Sequence, residues 1–462
     1  MKPGGPDTLN TEPLKTSAGA LDAKGPSRMF GLGRATVEER SNTANSTRSA
    51  DWIVCQIGAR EHYAIPRALH RSGALLHLIT DFWVPPGSLI SGIPGGRRFL
   101  DRWHTDLSDA PVHAPNLHML AFEAIERMKK SCPWNRIIRR NTAFQQHAIA
   151  CLKHSTNEAR CPTLFSYSYA ALDLFRFAKA KGWHTVLGQI DPGPEEERIV
   201  AEEHQRYAHL QSSWQPAPKS YWDSWGEETH LADRIIVNSE WSRECLLKAG
   251  VPGEKMEIIP LVYEEKATSG GRKPENPSLQ AANCTLTTDD LPFAPNSPLR
   301  LLFLGQINLR KGVGRLLDAM RMLKDKPVQL TLVGPSELDP SAWADLPNVR
   351  WLGPVARSEA ELHYRDADAF ILPTLSDGFA LTQLEAASNG LPVIASMHCG
   401  RVVENGVDGM LLDSLEPPRL AESILKYSNC PQTWRATVMR NGFGLVDLAR
   451  MLDRAVIGIE AS

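Results

Sequence analysis

Residues 368–396, DAFILPTLSDGFALTQLEAASNGLPVIAS, carry the pattern that decides the fold. The apolar runs at its two ends, DAFILP and LPVIAS, indicate buried strands, and the segment between them is helix-like, as in a β-α-β unit of a parallel sheet. Ligands of such sheets lie beyond the carboxyl ends of the strands, which is where LSDGF stands. Asp377 and Glu385 therefore lie near a predicted ligand site. Their spacing alone fits a helix N-cap and a solvated helix residue equally well.

The same alternation of apolar runs and helical segments extends outward from this stretch. Further buried strands are predicted at LRLLFLG (299–305), VQLTLVG (328–334), VRWLG (349–353), DWIVCQIG (51–58), ALLHLITDF (74–82), TLFSYSY (163–169), HTVLGQID (184–191) and DRIIVNS (233–239). Residues 264–298 lose all periodicity and have linker composition. The sequence therefore predicts an α/β protein with two doubly wound Rossmann-like domains facing across a cleft.

The predicted domain boundaries follow from these changes in pattern. Residues 1–49 are rich in Gly, Pro, Ser, Thr and Asn and are expected to form a disordered tail. Residues 50–263 form the N-terminal domain, 264–298 the linker and 299–440 the C-terminal domain. The amphipathic segment at 443–456 predicts a final helix within 441–462.

Composition limits the classes of function. The chain has 462 residues, 42% of them hydrophobic and 23% charged, with a net charge of −2, so no global field attracts nucleic acid and no nucleic-acid partner is expected. The eight cysteines show no CxxC or Cys/His pairing and the 14 histidines form no HxxxH cluster, so no metal site is predicted. The first residues lack the apolar segment of a secretory signal, and the expected location is cytoplasmic.

The C-terminal half resembles the donor domain of the family 4 retaining glycosyltransferases, which have the GT-B fold. The motifs that carry the resemblance occur in order at LRLLFLGQINLRKGVGRLLDAM (299–320), LTLVGPSE (330–337), the long segment 348–396 that includes the quoted stretch, and CGRVVENGVDGMLL (399–412). ADRIIVNSEWSRECLLKAGVPGEKMEIIP (232–260) is similar to a segment of the family's N-terminal domain. The resemblance also implies that the final helix packs back on the N-terminal domain.

The resemblance implies a binding site for a nucleotide-sugar donor. Its donor-binding residues would be Gly305, Arg310, Lys311, Asp377, Gly378, Phe379, Ala380, Leu381 and Glu385. Lys311 would offset the charge of the leaving phosphate, and Gly378 to Leu381 would open a helix whose amides favour anions. Asp377 would contact hydroxyls of the transferred sugar and Glu385 the ribose diol. Lys311 and Asp377 are thus the predicted catalytic residues.

Three positions depart from the family pattern. Asp377 stands where the family usually has Glu, and Gln306 stands where a basic residue often follows the strand glycine. FSYSYA (165–170) lacks the histidine that the family often has after this strand. The predicted residues on the acceptor side are Gly58, His62, Tyr63, Tyr167 and Asp191. Residues 58–63 fit an ordinary turn between a strand and a helix equally well, and Asp191 could instead cap the segment that follows it.

Two charged segments are predicted to be solvated helix surface and not part of a binding site. The run EEE at 195–197 is predicted to be a solvated helix start. The segment 126–153 lies in a long basic helical region over about 120–155 and carries seven basic residues and one acidic residue. It is predicted to be a solvated outer helix, and contact with an anionic membrane surface is the alternative.

The predicted function is that of a retaining hexosyltransferase that moves a hexose from a UDP-, GDP- or ADP-sugar to an acceptor hydroxyl, with no cofactor. The acceptor would be a carbohydrate or a lipid-linked molecule, in polysaccharide or glycoconjugate synthesis, and a lipid-linked acceptor would place the protein at the inner membrane face. Two alternatives stay open: a nucleotide-sugar epimerase or phosphorylase on the same scaffold, and a non-catalytic nucleotide-sugar-binding protein.

Overall fold

A computed structural model describes residues 51–88, 90, 99, 101–129, 132–155, 161–210, 212–262, 297–407, 409–428 and 444–460. The predicted tail at 1–49 lies outside the described residues, as does the predicted linker apart from its last two positions, 297 and 298. The described chain contains two parallel β-sheets with helices packed on them, as the sequence predicted.

The N-terminal sheet comprises seven strands of the described chain, all parallel, in the order β3-β2-β1-β4-β5-β6-β7. Its strands are β1 (Trp52–Gln56), β2 (Leu75–Thr80), β3 (Val112–His113), β4 (Thr163–Tyr167), β5 (His184–Gly188), β6 (Arg234–Val237) and β7 (Met256–Ile258). The central strands β1 and β4 are buried at every position, because helices cover both faces of the sheet.

The C-terminal sheet comprises six parallel strands of the described chain, in the order β10-β9-β8-β11-β12-β13. Its strands are β8 (Leu299–Leu304), β9 (Val328–Val333), β10 (Val349–Trp351), β11 (Ala369–Leu372), β12 (Val393–Ser396) and β13 (Gly409–Leu412). The strand order reverses between β8 and β11, so the loops that follow these two strands flank a crevice where ligands of such sheets bind.

The helices of the described chain connect these strands and cover the sheets. They are α1 (Ala64–Arg71), α2 (Asn116–Met128), α3 (Pro133–Ser155), α4 (Leu172–Ala180), α5 (Pro194–Arg206), α6 (Lys219–Leu231), α7 (Glu240–Lys248), α8 (Val313–Met322), α9 (Arg357–Asp366), α10 (Leu381–Ser388), α11 (Pro417–Ser428) and α12 (Leu445–Glu460).

The last helix, α12, packs on the N-terminal domain although it follows the C-terminal domain in the chain. Its apolar side chains, including Leu448 and Leu452, are buried in the same core as Trp52 and pack against α1. The Arg234 side chain adds a hydrogen bond to the Ala455 carbonyl oxygen at 3.0 Å. The core of the N-terminal domain therefore includes α12.

Helices α5 and α8 bring the two domains into contact. Arg315 on α8 donates two hydrogen bonds to the carboxylate of Glu203 on α5, at 2.8 and 2.7 Å, and Glu203 is only 2% exposed. The Tyr207 hydroxyl, just after α5, donates to Asp318 at 2.7 Å. These contacts hold the carboxyl ends of the two sheets towards each other.

The basic region predicted over 120–155 is divided between two helices, α2 and α3, with Pro133 as the first residue of α3. Proline is favoured at a helix start and disfavoured within a helix. Arg136 of α3 pairs with Glu123 of α2, and Arg140 pairs with Asp81, which is fully buried. Two of the arginines of α3 are thus paired with acidic side chains of the protein.

Candidate functional site

The loop after β11 holds Asp377 in a fixed position at the carboxyl edge of the C-terminal sheet. Thr374 and Ser376 are both fully buried, and the Thr374 hydroxyl donates to the Ser376 carbonyl oxygen at 3.1 Å. The Ser396 hydroxyl at the end of β12 donates to the Thr374 carbonyl oxygen at 2.6 Å. The Asp377 amide donates to the His398 carbonyl oxygen at 3.0 Å. The loop is therefore rigid at the residues that present this carboxylate.

The loop after β8 places two cations against Asp377. The Lys311 ammonium donates a hydrogen bond to Oδ2 of Asp377, and the Arg310 guanidinium lies 3.5 Å from Oδ1. Gly312 permits this approach: it has φ +73°, and a Cβ there would overlap the Pro373 carbonyl oxygen. Burial alone would raise the pKa of Asp377, but the charges of Lys311 and Arg310 outweigh burial and hold that pKa below its ordinary value.

The other predicted donor residues lie at the same edge of the sheet. Helix α10 begins at Leu381, so Gly378, Phe379 and Ala380 form the loop before it, not its first turn as the sequence suggested. Ala380 has φ +65°, a left-handed conformation that ends the loop directly before the helix. Gly305 follows β8 with φ +147°, and its amide donates to the Val333 carbonyl oxygen at 2.9 Å.

Glu385 is half-buried, one turn into α10. It accepts a hydrogen bond from the Tyr364 hydroxyl at 3.0 Å, which fixes the orientation of its carboxylate. Gln306, at the position where the family often has a cation, donates its side-chain amide to Glu337 instead.

The N-terminal domain contacts this edge directly. A Cβ at Gly378 would overlap the Ile190 carbonyl oxygen and would lie 3.6 Å from the Cα of Asp191, so the loop after β11 touches the loop after β5. The Trp241 indole also donates to the Ser376 hydroxyl at 3.1 Å. Asp191 and Asp377 therefore stand on facing loops of the two domains.

Asp191 is oriented by hydrogen bonds to one of its two carboxylate oxygens. Its Oδ1 accepts from the Tyr169 hydroxyl at 2.5 Å, the Gln189 side-chain amide at 3.1 Å and the Gly193 amide at 2.9 Å. Burial raises the pKa of Asp191, and the hydrogen bonds from Tyr169 and Gly193 together with the charges of Arg310 and Arg60 oppose the rise. The carboxylate thus has a fixed plane beside the cations of the other domain.

Glu196 is a site residue that the sequence analysis missed. It lies in the first turn of α5, with Oε1 3.7 Å from the Arg310 guanidinium, and its buried Oε2 has no hydrogen-bond partner among the described residues. Burial raises its pKa to about 8, with Arg310 opposing the rise and the charges of Asp191 and Asp377 adding to it. Three carboxyl groups therefore converge on the two cations Arg310 and Lys311.

The run EEE lies in the first turn of α5, as predicted, but the interpretation of its side chains as solvated is wrong at all three positions. Glu195 pairs with Arg198 and is only 16% exposed, and Glu197 accepts hydrogen bonds from the Ala217 amide and the Trp222 indole. One feature of the sequence could have identified Glu196 as a site residue: it follows Asp191 closely in the chain. The helix that carries Glu196 begins at Pro194, directly after the loop at the carboxyl end of β5.

The predicted acceptor-side residues near β1 occupy different environments. The Gly58 amide donates to the buried Asp81 at 2.8 Å, so this amide is already used within the protein. Tyr63 is 1% exposed and packs edge-on against Trp83 in the core, so its side chain does not line the cleft as expected. Tyr167 is likewise buried, at 4% exposure.

His62 is half-buried, and the backbone around it is unusual. Glu61, His62 and Tyr63 have φ values of +50°, +52° and +60°. This left-handed run turns the Tyr63 ring inward, which is why the residue belongs to the core.

The described ranges contain neither a cluster of metal ligands nor a membrane-spanning helix. No group of three or more His, Cys, Asp or Glu side chains within them is arranged to hold a metal ion. None of the described helices has both the length and the apolar character needed to cross a membrane.

The predicted donor residues lie in a segment of the chain that is similar to known glycosyltransferases. The family model for "Glycosyl transferases group 1" matches residues 298–429, which include every predicted donor residue. The amylovoran biosynthesis glycosyltransferase AmsK of Erwinia amylovora is 28% identical over 210 residues, 42% of this chain and 47% of that protein. The D-inositol 3-phosphate glycosyltransferase of Geodermatophilus obscurus is 30% identical over 224 residues, 43% of this chain and 46% of that protein. The chain thus spans about half the length of these curated relatives.

Solved structures match nearly the whole chain. The crystal structure of Anabaena HepE in complex with UDP aligns with a TM-score of 0.53 at 14% identity, over 88% of this chain and 100% of that one. With two parallel α/β sheets facing each other at their carboxyl ends, the chain has the GT-B fold, and the predicted fold class is confirmed.

Proposed function

We propose that this chain is a glycosyltransferase that moves a hexose from a nucleotide-sugar to an acceptor hydroxyl, with retention of the anomeric configuration. The observation that carries the proposal is the convergence of Lys311, Arg310 and Asp377 at the carboxyl ends of β8 and β11, facing Asp191 of the other domain. A diphosphate needs cations, and a sugar needs carboxylates for its hydroxyls, and both kinds of group meet here.

Lys311 and Arg310 would bind the diphosphate and offset the charge that develops on it as the glycosidic bond breaks. Such fixed charges stabilise a transition state most when they act in a site that excludes water. Lys311 is paired with Asp377. The incoming diphosphate therefore has to share this cation, which ties donor binding to the orientation of Asp377.

The start of α10 would supply the remaining donor contacts. Its first amides point towards the loop at 378–380 and, together with the helix dipole, favour an anion. Glu385 lies four residues beyond the first residue of α10, about 6 Å along the helix axis. A carboxylate at that distance from a bound diphosphate is suited to the two hydroxyls of the ribose.

The relatives support the choice of reaction. AmsK and the D-inositol 3-phosphate enzyme are both named as glycosyltransferases, and the first name refers to biosynthesis of amylovoran. We extend this to polysaccharide or glycoconjugate synthesis by the present chain, with a carbohydrate or lipid-linked acceptor, on the cytoplasmic side of the membrane. Retention and the family 4 assignment rest on the motif resemblance.

A thermal-shift screen against UDP-, GDP- and ADP-sugars tests the donor assignment. We expect one of these classes to raise the unfolding temperature of the wild type, and Glu385→Ala to abolish most of that shift. Glu422→Ala is the matched control, because Glu422 is 67% exposed on α11 and should respond as the wild type does. A wild type that no nucleotide-sugar stabilises would refute the donor assignment.

Incubation of the stabilising donor without an acceptor separates the alternatives. A transferase hydrolyses the donor slowly at most, which releases the sugar from the nucleoside diphosphate, whereas an epimerase changes the sugar and leaves it joined to the diphosphate. Once an acceptor is found, the anomeric proton coupling in the product tests retention, and an inverted product would refute it.

A further inference from the structure

Trp241 belongs to the N-terminal domain, and its side chain contacts two residues of the C-terminal domain. It is the second residue of α7, in the first turn of the helix that follows β6. Its indole N–H donates to the Ser376 hydroxyl at 3.1 Å, and its ring lies against the His398 imidazole with centroids 4.4 Å apart. Tryptophan can make both contacts at once because its large apolar ring carries one hydrogen-bond donor.

Ser376 and His398 both adjoin Asp377, one in the chain and the other across the edge of the sheet. The Ser376 carbonyl oxygen accepts from the Arg310 guanidinium at 3.2 Å, and the His398 carbonyl oxygen accepts from the Asp377 amide at 3.0 Å. Ser376 is fully buried, so its hydroxyl depends on a protein partner such as the indole. Trp241 therefore contacts the residue before Asp377 and the residue that binds the Asp377 amide.

The position of Trp241 is fixed within its own domain. Ser239, which is only 5% exposed, caps α7 by accepting a hydrogen bond from the Ser242 amide at 3.1 Å. The Lys248 ammonium lies 5.8 Å from the centroid of the Trp241 ring, within the range of a cation–π contact. Burial lowers the pKa of His398, so its imidazole packs against the indole as an uncharged ring at neutral pH. The indole is thus held where it meets the C-terminal domain.

The contacts of Trp241 bear more on Asp377 than on the two cations of the site. Asp377 lies in the loop after β11, which contains Ser376, whereas Lys311 and Arg310 lie in the loop after β8. In the proposed function, Asp377 binds hydroxyls of the transferred sugar and the cations bind the diphosphate. A binding group has to be held within about 0.5 Å of its productive position by the residues packed around it. Loss of the Trp241 contacts should therefore weaken binding of the sugar and spare the diphosphate.

We propose that Trp241 is a positioning residue for recognition of the donor's sugar. Through Ser376 and His398 it keeps the Asp377 carboxylate in the orientation that binds the sugar hydroxyls. The N-terminal domain thereby contributes to the choice of donor sugar from outside the donor-binding residues. This inference rests on the proposed transferase function, which it extends by assigning part of the sugar recognition to the N-terminal domain.

Isothermal titration calorimetry of the full chain tests the positioning role. The two ligands are the stabilising UDP-, GDP- or ADP-sugar and the free nucleoside diphosphate of the same base, and the ratio of their Kd values isolates the contribution of the sugar. We expect Trp241→Phe to raise the Kd of the nucleotide-sugar about fivefold, the scale of one hydrogen bond between neutral groups. The Kd of the free diphosphate should stay within a factor of about two of the wild-type value.

Two further variants separate the indole N–H from the ring. Trp241→Leu also removes the ring that packs on His398, so it should raise the Kd of the nucleotide-sugar by about tenfold or more. Ser376→Ala removes the acceptor of the same hydrogen bond, so adding it to Trp241→Phe should raise the Kd ratio no further than either change alone. Trp134→Phe is the matched control and should keep the wild-type ratio, because the Trp134 indole donates to the Gln215 carbonyl oxygen at 3.0 Å within the N-terminal domain.

The measurements can overturn the positioning role in two ways. A wild-type Kd ratio in both Trp241 variants would do so, and so would an equal loss of affinity for the two ligands, which is the effect of a merely structural tryptophan. Either result would leave the proposed function in place, because the wild type would still bind the nucleotide-sugar. A wild type that binds neither ligand would refute the proposed function, and the positioning role with it.

Discussion

Replacing Glu196 by glutamine should remove a pH dependence of donor binding. Oε1 of Glu196 lies 3.7 Å from Arg310, so an ionised Glu196 competes with a diphosphate for this cation and repels it. A protonated Glu196 does neither. Since the pKa of Glu196 is raised to about 8, its charge changes in a range that is accessible to binding assays.

The size of the effect follows from the protonated fraction. With a pKa of about 8, Glu196 is about 90% protonated at about pH 7 and about 10% protonated at about pH 9. If a donor binds only the protonated form, its apparent Kd rises by about tenfold between these two conditions, because the competent fraction falls by about that factor. The affinity for the donor therefore falls as the pH rises through the pKa of Glu196.

Isothermal titration calorimetry with the stabilising nucleotide-sugar measures this directly. The wild type should show the rise in Kd, and Glu196→Gln should keep a nearly constant Kd close to the wild-type value at about pH 7. The variant also controls for titration of the nucleotide base and of Asp191, Asp377 and Arg310, whose charges act on Glu196. Parallel pH profiles for the two proteins would show that Glu196 does not govern donor binding and refute this reasoning.

Three further substitutions give separate tests. Lys311→Ala should lower kcat by about 10²–10³-fold, the usual cost of losing one fixed charge on a leaving group; a rate within a factor of about two of wild type would exclude the role. Arg315→Met leaves the buried Glu203 without its partner and should cost about 3 kcal/mol in urea unfolding, whereas an unchanged midpoint would mean that the pair is not formed. Gly378→Ala forces the facing loops apart and should lower kcat by about 10²-fold; Gly226→Ala, at an open helical position, should keep the wild-type kcat.

The central strands were predictable because each is an apolar run flanked by glycine or turn residues. The strands that the sequence analysis did not identify, β3, β7 and β13, contain two to four residues and lie at sheet edges. An edge strand pairs with only one neighbour and can be short, so it has too few residues for a periodic pattern. The break between α2 and α3 was missed although Pro133 marks it.

The site could be predicted only in part. Lys311 and Asp377 are 66 positions apart, and a motif resemblance suggested them where spacing could not. Glu196 was missed because its burial depends on contact with the other domain, which a run of three glutamates does not reveal. Tyr63 was expected at the cleft because it follows β1, yet the left-handed backbone before it turns the ring into the core.

Because α12 packs in the core of the N-terminal domain, the chain passes between the two domains twice. The first connection follows β7 and the second precedes α12. Proteolysis within residues 263–296 would cut only one of these connections. The fragment that contains the C-terminal sheet would still end in a helix whose leucines are buried against β1 and α1. The two fragments should therefore co-elute as a complex, which makes this chain suited to reconstitution from separately expressed halves.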